Sequence, residues 1–335
     1  MNSYERVMNR FEGKPVDRLP NFSLIMMLGA KQVGVTFGEY VSNYRHLVDA
    51  AFLFHEKFGF DMVCAISDPM REAAGLGANV VISDDCVPNS PVKRIQKLSD
   101  VDTLKVVDPS SSWRMNDRLE AVSLMKKRGG HDVPVVGWVE GALAESCDLM
   151  NMQEVFMNLL DEPDVMKQMM DICMEQNLLF AEAQVKAGAD IIGLGDAASS
   201  LIGHPLYEEF ALPYQQKMIS AIHKMGARVK LHICGNVNAV LDLIAQTGAD
   251  MVDLDYMVDI EKAAEILPDT CCICGNFNPV TVMFQGSPEL IREEVGRCKK
   301  IRHKNRNFIA PGCEIPRDTP IENIIALRDA IAEDE

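Results

Sequence analysis

Three residues with metal-binding side chains, His232, Cys234 and Cys313, lie in two predicted β-strands. Side chains of a strand point alternately to opposite faces, so His232 and Cys234, two positions apart, share one face. Cys313 ends another predicted strand, and we expect its thiol at the same rim. An imidazole and two thiolates are a typical zinc-binding set, and three protein ligands leave a fourth position open for water or substrate. The spacing therefore predicts a catalytic zinc site, in which a thiol would be held as a reactive thiolate.

Further polar residues follow predicted strands, where parallel barrels keep their active-site residues. They are Asp68, Glu140, Asp196, Asp253, Asp255, Asn276 and Asn278. Aspartate and asparagine in these positions also cap helices, so each of them has a purely structural alternative. Glu140 differs from the rest because it places a carboxylate on the otherwise apolar run 135–139. We predict that Glu140, Asp68 and Asp196 take part in catalysis.

A short internal repeat suggests candidates for a fourth zinc ligand. Residues 233–238 (Ile-Cys-Gly-Asn-Val-Asn) recur as 273–278 (Ile-Cys-Gly-Asn-Phe-Asn), forty residues along the chain. Successive units of a barrel meet the same geometric demand where a strand ends, so architecture alone also explains the repeat. By its place in the repeat, Cys274 is a rival or fourth ligand. Glu140 is the other candidate for the fourth position.

Short β-rich runs alternate with longer helical patterns along the chain, which is typical of parallel strands joined by crossover helices. The predicted strands are residues 19–25, 61–66, 134–141, 189–196, 228–235, 249–256, 270–277 and 307–313. The predicted helices are residues 44–57, 151–186, 206–225, 238–246, 260–266, 288–301 and 320–330.

Eight strands, and the lack of a GxGxxG that opens a helix, favour a closed barrel over a doubly wound sheet. We therefore predict an α/β protein whose residues 1–335 form a single (β/α)₈ TIM-barrel domain with an N-terminal extension. Residues 80–82 and 92–95 flank a turn-rich segment, which predicts a hairpin excursion near 78–110.

Composition and charge exclude several classes of partner. The chain has 335 residues, 47% of them hydrophobic, and a formal net charge of −16, which repels phosphate backbones and anionic membranes. No apolar run reaches the roughly 18 residues that a membrane span requires, and the N-terminal stretch lacks the apolar segment of a signal peptide. Ten cysteines scattered through a chain of this size indicate reduced thiols or metal ligands. We expect a cytoplasmic protein that binds neither nucleic acid nor membrane.

Several motifs together resemble the uroporphyrinogen decarboxylase superfamily over nearly the whole chain. Within it, the chain resembles the zinc-dependent methylcobamide:coenzyme M methyltransferases and their corrinoid-linked relatives. The matching stretches are residues 65–69, 141–143, 196–200, 205–210 and 275–279. The decisive motif is Leu-His-Ile-Cys-Gly-Asn at 231–236, paired with Ala-Pro-Gly-Cys at 310–313 and Thr-Pro-Ile-Glu-Asn at 319–323. The resemblance implies that His232, Cys234 and Cys313 are zinc ligands.

A motif near the N-terminus distinguishes the two branches of the superfamily that the chain resembles. Decarboxylases carry an Arg-Gln-Ala-Gly-Arg stretch that binds the acidic tetrapyrrole, whereas residues 22–29 of this chain contain no arginine. A substrate with many carboxylates would find no cationic partners there. Where the decarboxylases have Gly-His late in the chain, this chain has Gly312-Cys313. Asp68, in contrast, matches an aspartate that contacts pyrrole nitrogens in the decarboxylases.

The activity that the resemblance implies is methyl transfer to or from a corrinoid carried by a separate small protein. The other substrate would be a thiol such as coenzyme M, or a small O-, N- or S-methyl compound. Met27, Met70 and Asn276 are the residues predicted to contact substrate or corrinoid. The direction of transfer stays open, and two alternatives remain: a decarboxylase-like enzyme and a non-catalytic zinc-binding barrel.

Overall fold

Seven parallel β-strands form a single sheet in chain order, β1 to β7, in this computed structural model. The structure describes residues 1–301, 303–304 and 306–333. The strands are β1 (Val63–Cys64), β2 (Val135–Glu140), β3 (Ile191–Gly195), β4 (Arg228–Ile233), β5 (Met251–Leu254), β6 (Cys272–Cys274) and β7 (Asn307–Phe308). Each strand pairs with the next one along the chain, as in the predicted α/β barrel, but the described residues form seven regular strands rather than eight.

Helices connect the strands and pack around the sheet. In chain order they are α1 (Ser3–Phe11), α2 (Met27–Val33), α3 (Phe37–Ser42), α4 (Tyr44–Phe58), α5 (Met70–Gly75), α6 (Trp113–Gly129), α7 (Ala142–Leu149), α8 (Met152–Asp161), α9 (Pro163–Ala187), α10 (Gly203–Leu206), α11 (Leu212–Lys224), α12 (Leu241–Ile244), α13 (Ile260–Ile266), α14 (Pro288–Lys299) and α15 (Ile321–Ala332). Within the described ranges, no helix is both long and apolar enough to cross a membrane.

The first predicted strand, 19–25, is not a regular strand, although it occupies the eighth position of the barrel. Asn21 forms a single parallel bridge with Ile309, next to β7. On its other side the Asn21 carbonyl accepts a hydrogen bond of 2.9 Å from the amide of Asp61, just before β1. The ladder stops there because Pro20 has no N–H and the Asn21 amide donates instead to the Asp61 carboxylate, at 2.8 Å.

The predicted N-terminal extension contains α1, which packs across the end of the barrel where the strands begin. The ring of Phe11 lies 5.3 Å from that of Phe308, and Nε of Arg10 donates to the carbonyl of Asn307 at 3.1 Å. An Asn2–Glu5 capping box begins this helix. Since α1 covers this end, the opposite end, where the strands stop, is the one that can open to solvent.

Two connecting segments differ from their predictions. The hairpin near 78–110 is reduced to one antiparallel bridge, between Val81 and Asn89, and residues 92–95 do not pair with 80–82. The amide of Ile95 donates instead to the carbonyl of Leu149. The single helix predicted over 151–186 is two helices, because Pro163 begins α9 and cannot continue the hydrogen bonding of α8.

Candidate metal centre and its cavity

The strand register brings residues from five strands to one level near the open end of the barrel. Glu140 of β2 is paired with Gly195 of β3, Gly195 with His232 of β4, His232 with Asp253 of β5, and Asp253 with Cys274 of β6. Parallel partners place their side chains on the same face of a sheet. The alternation that put His232 inside the barrel therefore also puts Glu140 and Asp253 there.

His232, Cys234 and Cys313 converge at this level, as the sequence predicted. Nε2 of His232 lies 3.0 Å from Sγ of Cys234, and the two sulfur atoms are 3.8 Å apart. The three potential ligand atoms all lie within 4.8 Å of one another. In the described part of the chain, this is the only such group of histidine, cysteine and acidic side chains.

Two buried side chains lie behind the imidazole of His232. Oδ2 of Asp253 is 2.9 Å from Nδ1 of His232, and the same oxygen accepts a hydrogen bond of 2.5 Å from Nζ of Lys230. Burial acts to raise the pKa of Asp253, but Lys230 and His232 hold it at about 2. Burial acts to lower the pKa of His232, but the Asp253 carboxylate raises it to about 9. Asp253 is thus an ionised partner that directs Nε2 towards the thiols.

The two thiols of the group are unequal. The hydrogen bond from Cys234 lowers the pKa of Cys313 to about 4, against the effect of burial, and His232 contributes to the lowering. The same contact raises the pKa of Cys234, as does burial. A thiolate is the form that binds metal, so Cys313 is prepared as a ligand at neutral pH.

The three potential ligands line one side of a cavity of about 140 Å³ at the open end of the barrel. Its apolar walls are Leu24, Met26, Ile66, Pro69 and Trp138. The acidic side chains on the cavity wall are Asp68, Glu140 and Glu314. A volume of this size is below the ~300–1,000 Å³ that is usual for drug-sized ligands, so it fits a small molecule.

Two glycines of β3 make room for this cavity. A Cβ on Gly193 would lie 2.2 Å from Cε3 of Trp138, so the indole ring lies against bare backbone. A Cβ on Gly195 would lie 3.0 Å from Oε2 of Glu140 and 3.0 Å from Nε1 of Trp138. Gly195 therefore keeps space free between Glu140 and His232, its two neighbours in the register.

One oxygen of the Glu140 carboxyl group faces the cavity. Oε1 accepts a hydrogen bond of 3.0 Å from Nη2 of Arg71, while Oε2 is directed towards Gly195. Burial raises the pKa of Glu140 well above its usual value, in spite of Arg71, and nearby Glu72 adds to the effect. Glu140 therefore holds its proton to higher pH than an exposed glutamate does, which favours a role as general acid.

Asp68 also lines the cavity, but its carboxylate is occupied. Both oxygens accept hydrogen bonds from Arg114, at 2.9 and 2.8 Å. The Ser67 hydroxyl and the Met70 amide donate to the same group. Burial acts to raise the pKa of Asp68, but Arg114, together with Arg71 and Ser67, lowers it. The catalytic role predicted for Asp68 stays a prediction, and in this geometry the residue fastens the loop between β1 and α5.

Asp196 and Asn276 are buried and lie outside the cavity wall. Asp196 accepts hydrogen bonds from the side chains of Ser199 and Gln215, both at 2.7 Å. The side-chain amide of Asn276 donates to the carbonyls of Asp255 and Val258. Both residues hold together the loops that follow strands, which is the structural alternative that their residue types allow. Their predicted roles in catalysis and binding stay predictions.

The remaining predicted contacts lie around the cavity rather than on it. Met70 is 3% exposed and packs in the core. Met27 is partly exposed on a neighbouring cleft, while Met26, one position earlier, lines the cavity. Cys274 is buried beside Asp253, and its sulfur lies outside the group of ligand atoms within 4.8 Å. Glu140 also lies outside that group, so the fourth ligand stays a prediction for both residues.

Glu314 is a cavity residue that the sequence predictions missed. Its Oε1 accepts hydrogen bonds from the amides of Met26 and Met27, at 3.0 and 2.8 Å. Burial raises its pKa to about 7, and the neighbouring Cys313 adds to this effect. Its position directly after a predicted metal ligand was the available signal, but that position alone did not show where the side chain points.

A set of buried acidic groups extends from Glu140 away from the metal centre. Glu72 accepts a hydrogen bond from the Glu140 amide and contacts Nε of Arg71. Glu145, on α7, is fully buried, and neither of its carboxyl oxygens has a hydrogen-bond partner in the described structure. Burial raises the pKa of Glu145 well above its usual value, and the charge of Glu72 adds to this. Burial also raises the pKa of Asp148, to about 8.

Comparison with known proteins identifies the family of the chain. Residues 2–333 match the family described as Uroporphyrinogen decarboxylase (URO-D). The chain belongs to this family.

The chain is similar to proteins of two kinds, methyltransferases and decarboxylases. The methylcobamide:CoM methyltransferase MtbA of Methanosarcina acetivorans is 29% identical over 326 residues, which are 96% of this chain and 94% of that protein. The uroporphyrinogen decarboxylase of Chlorobaculum parvum is 27% identical over 288 residues, 78% of this chain and 80% of that protein. A solved structure of a methyltransferase from Methanosarcina mazei superimposes with a TM-score of 0.90 at 25% identity and covers 98% of both chains. The resemblance to the methyltransferase branch of the family is confirmed.

Proposed function

We propose that this protein is a corrinoid-dependent methyltransferase with a zinc ion at His232, Cys234 and Cys313. It would move a methyl group between a corrinoid on a separate small protein and a thiol such as coenzyme M, or a small O-, N- or S-methyl compound. The observation that carries the proposal is the convergence of three ligand atoms within 4.8 Å on the wall of a small cavity. The methyltransferase relatives and the superposition with a TM-score of 0.90 support it.

The residues present fit zinc better than a harder metal ion. One imidazole nitrogen and two sulfur atoms are donors that zinc prefers, while magnesium and calcium take oxygen ligands. The Asp253 carboxylate on the far nitrogen of His232 is the usual partner of a metal-binding histidine. When bound, zinc would act as a Lewis acid that favours the thiolate form of a thiol substrate at neutral pH.

The protein's own side chains would bind the substrate and handle its proton. Leu24 and Met26 give the cavity apolar walls that keep water away from the reacting atoms. Oε2 of Glu140 faces the same space. It would take the proton released by an incoming thiol, or deliver one to the leaving oxygen or nitrogen of a methyl donor.

The cavity argues against the decarboxylase alternative. No lysine or arginine belongs to its wall as described, and the segment that carries arginines in decarboxylases contributes Leu24 and Met26 here. A tetrapyrrole with many carboxylates would need cationic partners and far more than about 140 Å³. The inert-barrel alternative is disfavoured because the ligand group borders a cavity instead of lying in a closed core.

The corrinoid would come from another protein. None of the seven histidines lies in an Asp-x-His-x-x-Gly stretch, the pattern with which corrinoid carriers ligate cobalt. We propose that Met26 and Met27, which follow residues 19–25 at the eighth position of the barrel, face the corrinoid. Met70 supports this surface from the core. We also propose a cytoplasmic location, because all ten cysteines are free thiols.

Metal analysis and a corrinoid assay test the proposal. Purified protein should hold about one zinc per chain, and Cys313→Ala should lose it, because two remaining donors cannot retain the ion. Cys86→Ser, at an exposed thiol, is the control that should keep it, while Cys274→Ala tests whether Cys274 supplies a fourth ligand. Zinc-replete enzyme should change the absorbance of methylcobalamin with a thiol, or of cob(I)alamin with a methyl donor. Lack of any change with free corrinoid and with corrinoid proteins encoded nearby would contradict the proposal.

A further inference from the structure

We propose that the small-molecule substrate carries no anionic group in the part that enters the cavity, and that a cationic group is preferred there. This inference rests on the proposed function and narrows it, because it disfavours sulfonated or phosphorylated thiols such as coenzyme M. The substrate class is then a thiol or methyl compound with a neutral or ammonium group close to the reacting atom.

The charged side chains on the cavity wall are all acidic, apart from the metal-binding set. Glu140 and Glu314 each have one carboxyl oxygen held by the protein, through Arg71 and through two backbone amides respectively. Their second oxygens receive no hydrogen bond from the described residues. Two carboxyl groups on the wall can therefore contact a substrate directly.

The cations nearest to the cavity are engaged elsewhere. Arg114 holds both oxygens of Asp68, and Arg71 contacts Glu140 and Glu72. Lys230 donates to Asp253 beneath His232. All three cations are at most 2% exposed, and none of them belongs to the cavity wall. Nη1 of Arg71 and Nε of Arg114 have no hydrogen-bond partner among the described residues, but both atoms are buried and neither residue belongs to the cavity wall. An anion in the cavity would therefore meet no guanidinium or ammonium group on its wall.

An anion in the cavity is disfavoured in either protonation state of Glu140 and Glu314. If they are ionised, they repel an anion and attract a cation across a poorly solvated space, where charges are weakly screened. If they are protonated, an anion still leaves water without meeting a positive charge, which is unfavourable in an apolar environment. A neutral group avoids both costs, and a cation is favoured where the glutamates are ionised.

The size of the cavity makes this a constraint on the substrate itself. A cavity of about 140 Å³ holds only a few heavy atoms, so a terminal group that stays inside it lies close to Glu140 and Glu314 while the reacting atom contacts the His232–Cys234–Cys313 group. A two-carbon thiol therefore brings its terminal group into the same space as its sulfur.

Three thiols that differ only in their terminal group test the inference: cysteamine, 2-mercaptoethanol and 2-mercaptoethanesulfonate. Their binding to zinc-replete enzyme, without corrinoid, is measured by calorimetry. We expect cysteamine to bind about tenfold or more tightly than the sulfonate. The ratio of these two affinities should fall towards one in Glu140→Gln with Glu314→Gln, after zinc content is checked, and stay unchanged in Glu120→Gln, an exposed acid on α6. Comparing ratios between variants cancels the different intrinsic acidities of the thiols.

Each outcome decides between the two proposals. Equal binding of the three thiols, or tighter binding of the sulfonate, overturns this inference and leaves methyl transfer intact. A cysteamine preference that persists in the double glutamine variant overturns the assignment to Glu140 and Glu314. No binding of any thiol by zinc-replete enzyme, together with silence in the corrinoid assay, overturns the proposed function and this inference with it.

Discussion

Oδ2 of Asp253 lies 2.9 Å from Nδ1 of His232, on the side of the imidazole remote from the two thiols. The two residues are direct partners in the register of β4 and β5, so the contact follows from strand pairing. Asp253 in turn accepts a hydrogen bond from the fully buried Lys230. This chain of contacts determines which nitrogen of His232 faces the two thiols, and it lies entirely on strands β4 and β5.

The first prediction concerns this contact. Asp253→Asn removes the negative charge that orients the ring and supports its donor strength, so zinc affinity should fall about 10–100-fold. Competition with a chromophoric chelator measures this. The control is Asp242→Asn, which alters an exposed Asp–His contact, 3.1 Å long, with His204. Unchanged zinc affinity in the Asp253 variant would show that the carboxylate does not support the metal site.

The second prediction concerns the space beside Glu140. Gly195→Ala would place a methyl group 3.0 Å from Oε2 of Glu140 and 3.0 Å from Nε1 of Trp138. Thiol affinity and methyl transfer should therefore fall at least about tenfold, because a near-attack geometry tolerates little displacement. Zinc content should persist, since the three ligands are untouched.

Gly296→Ala, in α14, is the matched control for this substitution. Nothing lies within 4 Å of the added methyl group there, so activity should not change and stability should rise by up to about 1 kcal/mol. If Gly195→Ala binds thiol like the wild type, the cavity does not extend between Glu140 and His232 in the way described.

The third prediction tests Glu140 as a proton donor or acceptor. Glu140→Gln keeps the shape of the side chain but cannot exchange a proton, so turnover should fall by about 10²–10⁴-fold. If Glu140 is the acid, wild-type activity declines as the pH rises through the raised pKa of Glu140. This decline should be missing from the variant. Profiles of kcat/KM against pH measure both effects. Equal activity over the whole working pH range would mean that Glu140 is only structural.

The fourth prediction concerns the buried Glu145. Burial raises its pKa in the folded state, so the folded chain holds this proton more tightly than the unfolded chain does. The contribution of this proton to the free energy of unfolding is fully present below the pKa that Glu145 has in the unfolded chain. It is lost as the pH rises towards the pKa that Glu145 has in the folded chain. Glu145→Gln does not titrate, so its stability relative to wild type should grow with pH, by at most about 1.4 kcal/mol per pH unit.

Urea unfolding between about pH 5 and pH 8 measures that difference. Glu72, Glu140, Asp148 and Arg71 act on Glu145 and are common to both proteins. Glu120→Gln on the exposed face of α6 should show no such trend. A stability difference that does not change with pH would indicate that Glu145 is not the group that holds the proton.

The convergence of the candidate metal ligands could be predicted from the sequence because part of its geometry is local. Strand periodicity predicted that His232 and Cys234 share one face, and the two side chains do meet, although β4 ends one residue before Cys234. The strand predicted over 307–313 is too long, because β7 ends at Phe308, and Cys313 reaches the same end of the barrel from the loop that follows. Periodicity and turn residues predicted the order of strands and helices for the same reason: they reflect local backbone preferences.

The tertiary structure decided which polar residues remain available for chemistry. Asp68 and Glu140 look alike in the sequence, as carboxylates that follow strands, yet Arg114, 46 positions away, occupies both oxygens of one. Arg71, 69 positions from Glu140, holds only a single oxygen of the other. Partners this distant meet only through the closure of the barrel, and their positions cannot be read from periodicity.

The shape of the cavity was likewise a property of the folded molecule. Its volume depends on Gly195 lacking a side chain beside Glu140, and on the backbone amides of Met26 and Met27 turning Glu314 inwards. The sequence by itself determined the family, the strand order and the three candidate metal ligands, since these depend on residue type and local spacing. Only the tertiary structure decided which carboxyl groups face the substrate, because burial and pairing are set by contacts between residues far apart in the chain.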